Sequence, residues 1–145
     1  MISTIAVGTD GSKTAGTAVA TALDLAARFG ATLVVLSAYR RRSRGSGATR
    51  LPTAASPDLE WASNEAEQVE RILADAEEAA AARGVECRSA MAEGDPGEVL
   101  VELAARHGAD LVVVGNKGMH RRVLGSVPNS VTHNASCSVL VVKTT

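Results

Sequence analysis

Short runs of valine and leucine alternate with longer, alanine-rich stretches along almost the whole chain of 145 residues. The short runs predict strands, which we place at residues 2–7, 32–38, 85–91, 111–114 and 138–143. The longer stretches carry apolar residues at helical spacing and predict helices, at residues 14–29, 58–83, 96–107 and 126–134. Because the strands are apolar over their whole length, this βαβαβαβαβ order is typical of a parallel sheet that helices cover on both faces.

Residue types that begin and end helices support this division. The helical patterns stop at Gly30, Gly84 and Gly108, and glycine readily adopts the left-handed conformation of a helix end. Asp95 followed by Pro96 indicates a helix start, since aspartate caps a first turn and proline tolerates the first position. The length suits a single domain over residues 1–145. The inward face of the first helix is expected to contain Ala18, Ala22, Leu25, Ala26 and Phe29.

The charge balance and the scarcity of aromatic residues disfavour a general nucleic-acid binder. The formal net charge is -1 and aromatic residues make up 2% of the chain, which disfavours nucleic-acid binding through basic charge or base stacking. No apolar run approaches the roughly 18 residues that cross a bilayer, and residues 1–4 lack the features of a signal peptide. We therefore expect a cytoplasmic protein that binds neither nucleic acid nor membrane. Cys87 and Cys137 lack disulfide or metal spacing and are expected to be free thiols in or near the core.

Residues 40–57 differ from the rest of the chain, because they are rich in arginine, glycine and serine and contain no acidic residue. We predict a flexible, solvated basic insert here. Two other interpretations stay open: a basic flap that attracts an anionic ligand, and a contact with nucleic acid or with another protein.

Glycines follow the fourth predicted strand, at the kind of position where doubly wound sheets bind ligands. Gly115, Asn116, Lys117 and Gly118 come directly after this strand, and a helix opens shortly afterwards with Gly125 and Ser126. Glycines let main-chain N–H groups approach a phosphate, and the start of a helix favours an anion. Ser126 can cap the helix and offer a hydroxyl to a phosphate oxygen. The alternative, that the glycines only turn the chain and Ser126 only caps, stays open.

The loop after the first predicted strand, residues 8–12, reads Gly-Thr-Asp-Gly-Ser. Asp10 lies at the strand end, where its carboxylate can accept hydrogen bonds from a ribose hydroxyl or a base amine. Alternatively, Asp10 or Ser12 caps the following helix, and the two roles can coexist.

Four segments, VGTDGS (7–12), VVVGNKG (112–118), GSVPNSV (125–131) and VLVVKT (139–144), together resemble the universal stress proteins of the UspA type. The resemblance implies an α/β, Rossmann-like three-layer sandwich with a five-stranded parallel sheet in the order 3-2-1-4-5. It also implies a pocket for ATP or AMP, with Mg2+ accompanying ATP. In that pocket Asp10 would contact the adenosine end, and the main chain near Ala38 would line the adenine. The implied binding residues are Gly8, Thr9, Asp10, Ala38, Gly115, Asn116, Lys117, Gly118, Gly125, Ser126, Val127, Pro128 and Asn129.

The spacer between the second and third glycines of this motif is usually nine residues long in the nucleotide-binding branch, whereas here residues 119–124 make a spacer of six. The shorter loop leaves open which of ATP, AMP and cyclic AMP is bound. The resemblance further implies a homodimer joined through the last strand, residues 139–143. We expect this apolar strand at a sheet edge, where it invites pairing with a second chain.

Together these features favour an adenine-nucleotide-binding stress-response regulator without efficient catalysis. The sequence contains no P-loop, no dinucleotide-binding glycine fingerprint and no hydrolase nucleophile elbow. We therefore expect no catalytic residue and no metal site, with slow ATP hydrolysis left open. Two alternatives remain: a dimeric signalling or interaction module of the same fold that does not hold nucleotide tightly, and a nucleotide-hydrolysing enzyme.

Overall fold

The computed structural model describes residues 1–40, 57–116 and 124–144, with only the main chain described at residues 57–64. Within these residues the elements follow the predicted order. They are β1 (Thr4–Gly8), α1 (Lys13–Phe29), β2 (Thr32–Tyr39), α2 (Pro57–Ala82), β3 (Cys87–Glu93), α3 (Pro96–Arg106), β4 (Leu111–Asn116), α4 (Ser126–Asn134) and β5 (Ser138–Lys143). The predicted basic insert lies almost entirely outside the described residues.

The strands of the described residues form one parallel sheet in the order β3-β2-β1-β4-β5, which confirms the predicted topology. β1 lies at the centre, where Ile5 is in register with Leu33 of β2 and with Leu111 of β4. The strand order therefore reverses between β1 and β4, and the carboxyl ends of β1, β2 and β4 meet at one edge of the sheet. β5 lies at the outer side of the sheet, as expected.

Apolar side chains fill both faces of the sheet. Helices α1 and α2 cover one face, where Ile5 and Val7 are fully buried, and helices α3 and α4 cover the other, where Ala6 is fully buried. The α1 side also contains Ala18, Ala22, Leu33, Val35 and Val113, and the α3 side contains Val34, Leu36, Leu100, Leu103, Val112, Val114 and Val131. The three-layer arrangement is thus confirmed.

Several boundaries differ from the prediction by a few residues. β1 begins two residues later than predicted. β3 occupies Cys87–Glu93 rather than 85–91, because the amide of Val85 donates to the carbonyl of Ala80 at 3.0 Å and so closes the end of α2. The expected inward position of Phe29 is wrong: it is the last residue of α1, where the chain turns towards β2, and it is 55% exposed.

The predicted helix ends are confirmed. Gly30, Gly84 and Gly108 all have positive φ angles, of 64°, 69° and 66°. At the start of α3, Asp95 Oδ2 accepts a hydrogen bond from the Glu98 amide at 3.3 Å. The two cysteines are free thiols and half-buried. In the part of the chain that the structure describes, no helix combines the length and the apolar character needed to cross a membrane.

Candidate functional site

A cavity of about 280 Å³ lies at the carboxyl ends of β1, β2 and β4, where the strand order reverses. We call it the central pocket. The first turns of α1, α3 and α4 also open into it. Its lining residues are Gly8, Thr9, Asp10, Thr14, Ala15, Ala38, Pro96, Leu100, Val114, Gly115, Gly125, Ser126, Val127 and Pro128. A switch point of this kind is where doubly wound sheets bind ligands.

Most of the predicted binding residues line this one pocket. They are Gly8, Thr9, Asp10, Ala38, Gly115, Gly125, Ser126, Val127 and Pro128. Asn116 is buried behind the wall, and Asn129 is exposed on α4 away from the lining. Lys117 and Gly118 lie outside the described residues. The two glycine motifs, more than a hundred residues apart in sequence, are therefore brought together by the fold.

Hydrogen bonds define the loop between β1 and α1. Its first residue, Thr9, is fixed to β2: its amide donates to the Leu36 carbonyl at 2.9 Å, and its carbonyl accepts from Ser37 Oγ at 2.7 Å. Asp10 Oδ1 accepts from the Ser12 amide at 2.9 Å, and Ser12 Oγ accepts from the Ala15 amide at 3.2 Å. Ser12 is therefore the cap of α1, and the exposed carboxylate of Asp10 both shapes the loop and contributes to the pocket wall.

The end of β4 packs tightly at Gly115. A Cβ atom at this position would lie 3.3 Å from the Thr14 carbonyl oxygen and 3.3 Å from Thr144 Cγ2. Gly8, at the end of β1, is similarly close to α3, because a Cβ there would lie 2.6 Å from Leu100 Cδ1. A side chain at Gly115 would therefore press on the main chain of α1, whereas a side chain at Gly8 would have to push the Leu100 side chain aside.

The start of α4 corrects the prediction that Ser126 caps the helix. Gly125 is the cap residue, with φ -62° and ψ 168° and no side-chain capping bond, and Ser126 is the first helical residue. Hydrogen bonding within α4 begins with the Asn129 amide, which donates to the Gly125 carbonyl at 3.0 Å. The amides of Ser126 and Val127 precede that bond at the pocket wall. Such amides suit an anion, and the helix dipole adds to the effect.

Apolar side chains form most of the remaining wall. Asp10 is the charged residue among the described lining residues. The apolar part consists of Ala38, Pro96, Leu100, Val114, Val127 and Pro128. An apolar slot that ends at the first-turn amides of a helix can hold a flat ring at one end and an anionic group at the other.

Sequence reasoning missed five lining residues: Thr14, Ala15, Pro96, Leu100 and Val114. Thr14 and Ala15 belong to the first turn of α1, directly after its cap. Pro96 and Leu100 lie four residues apart on α3 and so share a face. For the helical residues the available signal was positional, because each helix that follows a strand of a parallel sheet begins at the carboxyl edge of that sheet.

Three side chains with shifted pKa values lie outside the pocket lining. Main-chain N–H groups of Ser3 and Thr4 donate to Asp110 and lower the pKa of its carboxyl group. Burial, with the charge of Glu77, raises the pKa of the Cys87 thiol to about 11. Burial also raises the pKa of the Cys137 thiol. The described residues contain no group of three or more His, Cys, Asp and Glu side chains that could hold a metal ion.

Comparisons with known proteins agree with this geometry. The sequence model of the universal stress protein family matches residues 1–143. Universal stress protein Rv1636 of Mycobacterium tuberculosis is 37% identical over 148 aligned residues, which cover 98% of this chain and 97% of that protein.

Solved structures show the same relationship. One universal stress protein, whose crystal structure is a complex with cAMP, is 32% identical in sequence to this chain. The two structures align with a TM-score of 0.73, over 99% of this chain and 98% of that one. The universal stress protein UspA of Lactobacillus plantarum is 25% identical, with a TM-score of 0.79 over 97% of each chain. By sequence and by structure, this chain belongs to the universal stress protein family.

Proposed function

We propose that this protein is a stress-response regulator that binds an adenine nucleotide in the central pocket without turning it over efficiently. One observation carries the proposal: the pocket joins an apolar slot to the first-turn amides of α4, which donate no hydrogen bond to any of the described residues. The comparison that supports it is the relative whose crystal structure is a complex with cAMP, at 32% identity over 99% of this chain.

The two ends of the pocket suit the two ends of a nucleotide. The adenine would lie in the apolar slot between the main chain near Ala38 and the side chains of α3. The ribose hydroxyls would donate to the Asp10 carboxylate at the pocket wall. The phosphate would face the amides of Ser126 and Val127 at the start of α4.

Pocket size and charge favour a nucleotide with a single phosphate. A cavity of about 280 Å³ is at the small end for ligand pockets. The charged residue among the described lining residues is Asp10, whose carboxylate repels further phosphate charge. We therefore place AMP and cyclic AMP ahead of ATP, and Mg2+ would enter only with ATP.

The edge strand β5 supports a homodimer as part of the proposal. Among the described residues, β5 pairs with β4 along one side. Leu140, in the middle of β5, is 36% exposed. Antiparallel pairing with β5 of a second copy would satisfy the outer main-chain groups and cover this side chain. Light scattering after gel filtration at tens of micromolar tests this, and a monomer there would refute the dimer.

Calorimetric titration of the purified protein with ATP, AMP, cyclic AMP and adenosine tests the binding itself. We expect saturable binding of AMP or cyclic AMP. No heat and no thermal shift up to millimolar ligand would refute the proposal and favour an interaction module of the same fold. Phosphate release faster than ~1 per second would instead indicate an enzyme.

Substitution of Asp10 tests the assigned contact. Asp10→Ala should weaken adenosine and AMP alike, by about tenfold or about 1.4 kcal/mol, because the contact lies on the sugar. Asp75→Ala removes an exposed carboxylate on α2, away from the pocket lining, and serves as the control. If Asp10→Ala weakened only ATP, the contact with the sugar would be wrong.

A further inference from the structure

Asn116, the last residue of β4, has a fully buried side chain. Its Oδ1 accepts a hydrogen bond from the amide of Gly125, the cap residue of α4, at 2.9 Å. This bond fixes the orientation of the carboxamide, because the reverse orientation would place its NH2 donors against the N–H donor of Gly125. The side chain therefore joins the end of a central strand directly to the start of a helix nine residues later.

The main chain of Asn116 is also held in place, whereas its side-chain nitrogen is not. Its main-chain carbonyl accepts a hydrogen bond from Thr144 Oγ1 at 2.7 Å, just beyond β5. Its Nδ2 is buried and has no hydrogen-bond partner in the described part of the chain. A buried unpaired donor lowers stability. The carboxamide therefore acts on its surroundings through its oxygen, and that oxygen contacts α4.

The neighbours of Asn116 line the central pocket, while Asn116 itself does not. Gly125 is one lining residue, and the next two residues, Ser126 and Val127, carry the amides that precede the first hydrogen bond within α4. We infer that Asn116 is a positioning residue, which fixes the first turn of α4 so that these amides point at the phosphate of a bound nucleotide. The inference rests on the proposed function and revises the predicted direct contact between Asn116 and ligand.

The test compares the affinities for AMP and for adenosine, which differ only in the phosphate. Asn116→Leu has nearly the same size but lacks the acceptor. We expect it to weaken AMP by about tenfold or more and adenosine by less than threefold, measured by calorimetry on the full chain. Thr144→Val is the matched control, because it removes the neighbouring hydrogen bond to Asn116 and leaves the side-chain bond intact. It should leave the ratio of the two affinities unchanged.

A second pair of variants removes the same bond from the other side and guards against misfolding of Asn116→Leu. The φ angle of Gly125 is -62°, which proline can adopt, so Gly125→Pro removes the amide donor while Gly125→Ala keeps it. We expect AMP to bind Gly125→Pro at least tenfold more weakly than Gly125→Ala, with similar adenosine affinities. The inference would be overturned if both Asn116→Leu and Gly125→Pro lost the same affinity for AMP as for adenosine, or if neither variant lost affinity.

Hydrogen exchange of the Gly125 amide in the ligand-free protein separates this inference from the proposed function. If wild-type protein binds neither AMP nor adenosine, the proposed function fails. Fast exchange of this amide in Asn116→Leu, with protection kept in Thr144→Val, would still support positioning of α4. Unchanged protection in Asn116→Leu would overturn it.

Discussion

Replacing Gly115 by alanine tests how closely the end of β4 is packed. The added methyl group would lie 3.3 Å from the Thr14 carbonyl oxygen, 3.3 Å from Thr144 Cγ2 and 3.5 Å from Ala18 Cβ. These contacts surround it with main chain and short side chains, so that the first turn of α1 must give by a few tenths of an ångström. Overpacking of this kind costs about 1–3 kcal/mol. Alanine also restricts the unfolded chain, which returns about 0.4–1 kcal/mol. We therefore expect Gly115→Ala to lower the free energy of unfolding by about 1–2 kcal/mol.

Gly125→Ala is the matched control, because it adds the same methyl group to another pocket glycine. There the nearest atoms are Asn116 Oδ1 at 3.4 Å and two Pro128 carbons at 3.7 Å, which is ordinary contact. Alanine caps a helix less well than glycine, by about 0.5 kcal/mol, and the restriction of the unfolded chain offsets this loss. The expected change is within about 0.5 kcal/mol.

Urea unfolding of the ligand-free proteins, followed by far-UV circular dichroism, measures both changes. Gly115→Ala should show a lower midpoint with an unchanged m-value, and a melting temperature about 2–8 °C below that of wild type. Gly125→Ala should have the same urea midpoint as wild type. If Gly115→Ala were as stable as wild type, or if both variants lost the same amount, the tight packing at the end of β4 would be refuted.

Three other substitutions test separate parts of the structure. Ser12→Ala removes the cap of α1 and should cost about 1 kcal/mol in thermal unfolding, so an unchanged melting temperature would contradict the cap. Leu100→Ala truncates a side chain that is 5% exposed, and should lower the free energy of unfolding, measured in urea, by about 2–5 kcal/mol. A loss below about 1 kcal/mol would contradict tight packing of Leu100. Hydrogen bonds from Ser3 and Thr4 lower the folded-state pKa of Asp110, so its stabilising effect is present above the unfolded pKa and is lost as pH falls through the lowered value. Asp110→Asn should therefore flatten the fall of the urea midpoint on acidification below about pH 4, and an unchanged slope would contradict this account.

The order of elements could be predicted because each strand is apolar throughout and each long helix has one apolar face. The ends of the helices and strands could not be predicted to the residue where a side chain is compatible with either of two neighbouring elements. Val85 has the side chain of a strand residue, yet its amide completes the end of α2. Phe29 has the spacing of a core residue, yet it lies at the last position of α1 and stays exposed. Such positions are decided by where the main-chain hydrogen bonds close, which side-chain type alone does not show.

The candidate site was predictable to a similar extent. Glycine motifs mark the ends of β1 and β4, and the parallel sheet brings them together. Leu100 was missed because it belongs to α3, and it lines the pocket only because α3 packs against Gly8 at the end of β1. The cap of α4 was placed one residue late, since Ser126 is the better capping residue by type. The main chain decides the matter, because Gly125 has the extended conformation of a cap and its carbonyl accepts the first hydrogen bond of α4, from the Asn129 amide.

Three glycines are among the described residues that line the pocket, and a loss of nucleotide binding would mean something different at each. At Gly8 and Gly115 the space beside the main chain is already occupied by Leu100, or by Thr14 and Thr144. A larger residue there would move Leu100 or the main chain at Thr14, both of which line the pocket, so weaker binding would follow whether or not the ligand approaches these positions. At Gly125 the protein leaves room for a methyl group, and the φ angle of -62° suits alanine. If Gly125→Ala, which keeps the amide donor to Asn116, folds like wild type but binds AMP weakly, the loss would therefore report close approach of the phosphate to the main chain, which substitutions at the other two glycines cannot distinguish from packing.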